Sequence, residues 1–270
     1  MLTLDTIKRS TPSVFAAAPW REVSDSYKFI PTSDVVAGLL DAGFEVASAR
    51  QARTVTPGKR EYVKHQLRFR RPQDVVAGRG EYVPEVLLQN SHDSAGAFVL
   101  MAGVFRFACF NGMFVGSAFG TYRKTHRGNV GDVIDAAYEV VAEFPAVIDQ
   151  IERWRGLYLD QDAQLSFASA ALGIRYGAEK APLPPERLLW TRRSEDRAAD
   201  LWTIFNRTQE NLMQGGLPGR TTTGRRMHTR GISGISEETR VNRQLWDLAA
   251  AVADLQTAGL DIKYVPEVVA

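Results

Sequence analysis

Polar and apolar positions alternate with a period of two from Val63 to Arg70. Val63, His65, Leu67 and Phe69 interleave with Lys64, Gln66, Arg68 and Arg70. That period puts the two sets on opposite faces of a β-strand. The spacing predicts one buried face and a row of cations on the solvent face. The residues before it form a second strand, making a hairpin over Phe44 to Arg71 with Pro57-Gly58 in its turn. A stronger apolar signal runs from Glu85 to Gly116. Val86-Leu87-Leu88 leads into the polar segment Asn90-Ser91-His92-Asp93-Ser94, and Phe98 to Val104 is nearly all apolar. Two such runs around a turn rich in Asp, Ser and Gly read as a hairpin, and the continuous second arm reads as a central strand. Asn111-Gly112 is the strongest turn signal that follows.

Elsewhere the period is helical. Pro31-Thr32-Ser33-Asp34 opens a helix ended by Gly43, with Val35, Val36, Leu39 and Leu40 on its apolar face. Val130 to Arg155 reads as one long amphipathic helix that Pro145 kinks or splits. A further helix covers about Asp160 to Leu172 and ends at Gly173. Pro182, Pro184 and Pro185 mark a boundary. Beyond it, Ser194 caps a helix carrying Leu201, Trp202, Phe205 and Leu212, and Gly215-Gly216 ends it. Leu217 to Gly234 reads as a loop rich in Gly, Thr and Arg, and a last helix runs from about Ser236 to Ala258. The expected fold is α+β: an antiparallel sheet of hairpins backed by a long helix, with a helical carboxyl part. The expected domains are an arm over 1–30, a sheet-bearing core over 31–180, and a helical part over 181–270.

Composition changes this picture little. The chain has 270 residues, 44% apolar and 24% charged, ordinary for a globular protein. No segment is long and apolar enough for a membrane span, and the amino terminus lacks the pattern of a secretory signal. A single cysteine, Cys109, fits a reducing compartment, so the expected location is the cytoplasm.

The net charge of +2 hides a segregated distribution. Between Arg50 and Arg71 the first hairpin holds Arg50, Arg53, Lys59, Arg60, Lys64, Arg68, Arg70 and Arg71 against one acid, Glu61. A second cluster spans Arg123, Lys124 and Arg127, and a third Arg220, Arg225, Arg226 and Arg230. The region 132–152 carries the compensating acids Asp132, Asp135, Glu139, Glu143, Asp149 and Glu152. A positive face of this kind is the electrostatic signature of a phosphate-backbone binder. Tyr62, Phe69, Tyr82 and Tyr122 lie near the cations and are candidates for base stacking, though each also suits the core.

Catalytic chemistry is poorly represented. His65, His92, Asp93 and Cys109 have no metal-ligand spacing, and a cysteine in the apolar stretch Phe107 to Phe110 is a poor nucleophile. Gly215-Gly216-Leu217-Pro218-Gly219 lacks the Gly-Lys-Ser/Thr ending of a nucleotide-binding loop. No cofactor is expected.

Asn90, Asp93 and Ser94, followed by an apolar strand and by Phe105, Arg106, Cys109, Asn111 and Gly112, resemble the phage- and plasmid-type family called domain of unknown function 932. The resemblance continues through Trp202, Asn206, Glu210, Gly215-Gly216 and Asn242 to Trp246, and spans most of residues 30–250. The family's usual Asp-Gly-Ser turn is here Asp93-Ser94-Ala95-Gly96. The resemblance implies a mobile-element context. The order of elements is similar to single-strand annealing proteins of the RecT/Red-beta superfamily, which assemble into rings or filaments. The expectation is therefore a non-catalytic protein that binds and anneals single-stranded DNA as a homo-oligomer. Its phosphate contacts are expected from Arg50, Arg53, Lys64, Arg68, Arg70, Arg71, Arg123, Lys124, Arg127, Arg225, Arg226 and Arg230. The alternative is a protein-binding antagonist of a host defence system, its basic surfaces meeting an acidic partner.

Overall fold

The structure is a computed structural model that describes residues 1–20, 29–74, 81–107, 111–116, 121–124, 130–177 and 180–263. It is α+β, with a six-stranded antiparallel sheet in the first half of the chain and helices predominating in the second. The chain divides into two compact units, Met1–Ile148 and Asp149–Ala270. The break thus falls earlier than the Pro-rich boundary near 180, because the helix before those prolines packs with the carboxyl-terminal helices.

In the first unit the chain starts with α1 (Leu4–Ser10) and a short 3-10 turn at Pro12–Phe15. Thr3 caps α1. Leu2 N donates to Val46 O at 2.8 Å, and Ser13 N to Gln51 Oε1 at 3.0 Å, so the arm is pinned on the sheet edge. α2 (Thr32–Asp41) follows. The strands are β1 (Glu45–Gln51), β2 (His65–Arg70), β3 (Tyr82–Asn90), β4 (Phe98–Arg106), β5 (Asn111–Phe114) and β6 (Thr121–Lys124). Their order is β1-β2-β3-β4-β5, with β6 also paired to β4. The apolar run of β4 is therefore the central strand: it has β3 on one side and both β5 and β6 on the other.

Asn111-Gly112 is not a turn. It is the start of β5, in register with Arg106 and Phe105, and the connection itself lies outside the described residues. The long helix does split, into α3 (Val130–Ala142) and α4 (Phe144–Arg155), with Pro145 at the second position of α4, where its missing N–H costs nothing. α2 and α3 cross so closely that a Cβ on Gly38 would lie 2.6 Å from Ile134 Cδ1.

In the second unit α5 (Gln161–Tyr176) is capped by Asp160 and passes through Gly173, ending at Gly177 with φ +83°. A short α6 (Pro185–Leu188) precedes α7 (Leu201–Gln214), β7 (Pro218–Arg220), β8 (Arg226–His228) and α8 (Ile235–Thr257). Ser194 opens only a 3-10 turn, and Asp200 caps α7, accepting from Thr203 N at 2.9 Å. Leu201 to Leu212 are all buried; within the run Gln209 donates to Asn242 Oδ1 at 2.9 Å, and Glu210 accepts from Arg193. Trp154, Trp202, Phe205 and Trp246 stack into one aromatic core, with Trp154 and Trp246 centroids 4.8 Å apart.

Candidate nucleic-acid interface

Residues directly opposite across an antiparallel pair share a face. One face of the sheet carries His65, Leu67 and Phe69 and meets α2, since Thr32 at the start of α2 touches His65. The other face carries Arg50, Gln66 and Gln89 in one row, then Arg68, Leu87 and Met101, then Arg70 with Glu85 beside it. This second face was expected to expose its cations, and it does not. Arg68 is only 6% exposed and Glu85 is fully buried. Arg68 Nη1 and Arg70 Nε each donate to the Glu85 carboxylate at 2.6 Å. Arg68 lies over the Phe114 ring at 5.1 Å and Arg70 over Phe105 at 4.2 Å. A carboxylate in β3 draws the two guanidiniums inward, and no polarity alternation within β2 could show that.

The other cations of the hairpin divide. Arg71 forms a two-bond pair with Asp74 at 2.8 Å. Arg50 donates to Gln66 Oε1 at 3.2 Å, and burial, helped by the neighbouring Arg68, pushes its pKa down to about 10, so it stays charged at neutral pH. Lys64 is half-buried beside Gly96, and Arg53 is exposed. Arg123 and Lys124 belong to β6, where Arg123 pairs in register with Val99 and Lys124 with Phe98. Arg127 lies outside the described residues, as does Cys109. The stacking candidates also change role: Phe69 and Tyr82 are core residues, and Tyr62 packs on Trp20 with centroids 5.1 Å apart.

On the helix side, Thr32, His65, Asn90 and His92 form a buried polar knot. Thr32 Oγ1 lies 2.9 Å from His65 Nε2, 3.2 Å from His92 Nε2 and 3.0 Å from Asn90 Nδ2. Burial, with the His92 ring second, pushes the His65 pKa down to about 3. Asp93 accepts from Ala95 N at 3.1 Å, shaping the turn, and from Lys59 at 3.0 Å. Among the described residues no group of three His, Cys, Asp or Glu is placed to hold a metal ion.

The third cationic stretch, expected to be a loop, is an ordered hairpin. β7 and β8 pair Pro218 with His228, Gly219 with Met227 and Arg220 with Arg226. Its turn is built by Gly224 at φ +80° and by Arg225 N donating to Thr221 Oγ1 at 3.1 Å. The Gly219 side rests on the preceding proline segment: a Cβ there would be 2.3 Å from Pro182 O, and Arg220 N donates to Pro182 O at 2.6 Å. Arg220, Arg226 and His228 share the opposite face and are exposed, as are Arg225 at the tip and Arg230 beyond it. The base is locked. Gly215, at φ +63°, touches the Arg230 backbone, and Gly216 N donates to Thr229 O at 2.8 Å. Arg175 donates to the carbonyls of Leu212 and Arg230.

Sequence reasoning passed over Trp190. It is 46% exposed, with the Arg187 guanidinium over its ring at 4.5 Å. Its carbonyl accepts from Asn211 Nδ2 at 2.8 Å, and Arg192 donates to Gly215 O at 2.6 Å. An aromatic among Arg187, Arg192 and Arg193 was the available signal.

A family model described as "Domain of unknown function (DUF932)" matches residues 19–246. The chain belongs to this family. Among its relatives are two from Escherichia coli strain K12. UPF0380 protein YafZ is 40% identical over 252 residues, 93% of this chain and 91% of that protein. UPF0380 protein YfjQ is 39% identical over 249 residues, 92% and 90% of the two chains. No solved structure matches. Within the DUF932 match the tail residues that carry the family resemblance are structural here. Trp202 and Trp246 build the aromatic core, Glu210 holds Arg193, and Gly215 closes the base of the basic hairpin. Among the described residues, no helix is long and apolar enough to cross a membrane.

Proposed function

We propose that this DUF932 protein is a non-catalytic, single-stranded DNA-binding and annealing protein of a mobile genetic element, gripping phosphates with the β7–β8 hairpin. Its activity is that of the RecT/Red-beta class, carried out in the cytoplasm by a homo-oligomer. The observation that supports it most is the direct cross-strand opposition of Arg220 and Arg226 on an exposed face. Like charges in that position destabilise a hairpin, and an anion between them removes the cost. Arg225 and Arg230 extend the same positive surface, with no acid between Glu210 and Glu237 to oppose it. A grip on phosphates alone leaves base edges available for pairing, which annealing requires. It also reads no sequence.

The test is fluorescence anisotropy of a labelled single-stranded oligonucleotide at low and physiological salt, with wild type and the double variant Arg225→Glu/Arg226→Glu. Affinity is expected to fall steeply with salt. The variant is expected to bind at least about tenfold more weakly, its log–log salt slope shallower by about 0.7 for each phosphate it no longer neutralises. Wild type that binds no oligonucleotide at low salt, or a variant that binds as wild type does, overturns the reading.

A further inference from the structure

The hairpin accounts for affinity to any phosphate backbone, and says nothing of why a single strand would be preferred to a duplex. We propose that Trp190 is a base-stacking platform beside the hairpin, and that unpaired bases of a single strand are its ligand; this rests on the reading above.

Four observations carry it. The indole is 46% exposed, whereas the other three tryptophans of the same unit, Trp154, Trp202 and Trp246, are buried. Its backbone is fixed: Trp190 N donates to Arg187 O at 3.4 Å, and its carbonyl accepts from Asn211 Nδ2 at 2.8 Å. The backbone that bears the ring is therefore fixed while the ring itself stays partly open. The Arg187 guanidinium sits over it at 4.5 Å, a stack that polarises the ring and puts a cation beside any base that joins it. Finally, the segment bearing Trp190 is stitched to the hairpin at both ends. Pro182 O accepts from Arg220 N at 2.6 Å, and Arg192 Nη2 donates to Gly215 O, just before β7, at 2.6 Å.

The chemistry selects the ligand. Arg192 donates to two neutral acceptors, Asn211 Oδ1 at 2.7 Å and Gly215 O, so those bonds do not neutralise its charge. Arg193 by contrast is matched by Glu210 and Asp196. A planar aromatic between positive groups suits a base attached to a phosphate chain. A duplex keeps its bases inside the stack and cannot offer one, so Trp190 contributes to single strands alone. Exposed Glu186 and Glu195 flank the segment and keep a second phosphate row from settling there.

The experiment compares a labelled oligothymidylate, an abasic strand of the same length and a duplex, against wild type, Trp190→Ala, Trp190→Phe and the hairpin double variant, with circular dichroism confirming the fold of each. Base stacking is worth about 1–3 kcal/mol per base, so Trp190→Ala is expected to weaken oligothymidylate binding by roughly 5- to 150-fold. Duplex and abasic-strand affinities are expected to stay within about twofold, and Trp190→Phe to restore most of the loss. Indole emission is expected to be quenched by the oligothymidylate in wild type and not in Trp190→Phe. A Trp190→Ala protein that binds the single strand as wild type does, or loses single strand and duplex equally, overturns the stacking role while leaving the hairpin reading intact. Wild type that binds nothing overturns both.

Discussion

Gly112 occupies the place where a Cβ would meet the Arg68 guanidinium, 2.2 Å from its Cζ. A long side chain can usually swing away from such an intrusion. Arg68 cannot, because Glu85 holds it at 2.6 Å and Phe114 lies under it. Gly112→Ala is therefore expected to destabilise the protein by about 1–3 kcal/mol, as overpacking does in a filled core. Thermal unfolding measures it, and the same change in an Arg68→Met background is expected to cost less by at least about 0.5 kcal/mol. Equal costs in the two backgrounds would show that the guanidinium is not what excludes the methyl group. The Asn111-Gly112 pair was conspicuous in the sequence as a turn, yet the reason for its glycine is a side chain far earlier in the chain. A dipeptide signal reports local backbone preference and is blind to such a neighbour. The same holds for Arg68 and Arg70: alternation placed them correctly on the face opposite Leu67 and Phe69, and only the partner strand decided that the face is buried.

At the scale of elements, α2 is joined to the sheet through a hydrogen-bond knot whose protons can be assigned. His65 Nδ1 lies 3.2 Å from Val63 O and so carries the hydrogen it donates there. Its Nε2 is then bare and accepts the Thr32 hydroxyl, while His92 Nε2 and Asn90 Nδ2 donate to the hydroxyl oxygen. The arrangement uses every lone pair of that oxygen and requires His65 to be neutral. The unfolded chain protonates His65 near pH 6.5, whereas the folded chain does so only near pH 3. Stability is thus unaffected above about pH 6.5. It falls as pH drops from there toward 3, by up to about 1.4 kcal/mol per unit. Urea unfolding at pH 7, 6 and 5 is expected to show that decline beyond the carboxylate contribution, and His65→Gln is expected to flatten it. A His65→Gln profile parallel to wild type would place the proton uptake elsewhere. The strand carrying His65 was legible from its period, as were α2 and the split at Pro145. The knot was not, because it joins residues from three separate segments. Misread boundaries came from competing local signals: Asp200 rather than Ser194 caps α7, accepting from Thr203 N at 2.9 Å, and Gly177, at φ +83°, rather than Gly173 ends α5.

For the whole molecule, the question that matters is which of its cations are available. Sequence showed three basic clusters of similar appearance. The structure separates them by whether an acid accompanies each cation: Glu85 holds Arg68 and Arg70, Asp74 holds Arg71, and the β7–β8 hairpin has no acid in its own stretch. Two designs of DNA binding then give opposite expectations for one substitution. Glu85→Gln removes a buried negative charge between two guanidiniums, and leaving them unpaired is expected to cost about 3–5 kcal/mol of stability. If the sheet arginines held DNA, releasing them from their carboxylate would raise affinity in the protein that remains folded. If the hairpin holds it, the affinity of folded Glu85→Gln equals that of wild type, while Arg225→Glu/Arg226→Glu loses affinity with little change in melting temperature. Stability loss without an affinity change for the first, and affinity loss without a stability change for the second, is the expected result. The reverse pattern would return the interface to the sheet, where the spacing of cations along β2 first suggested it.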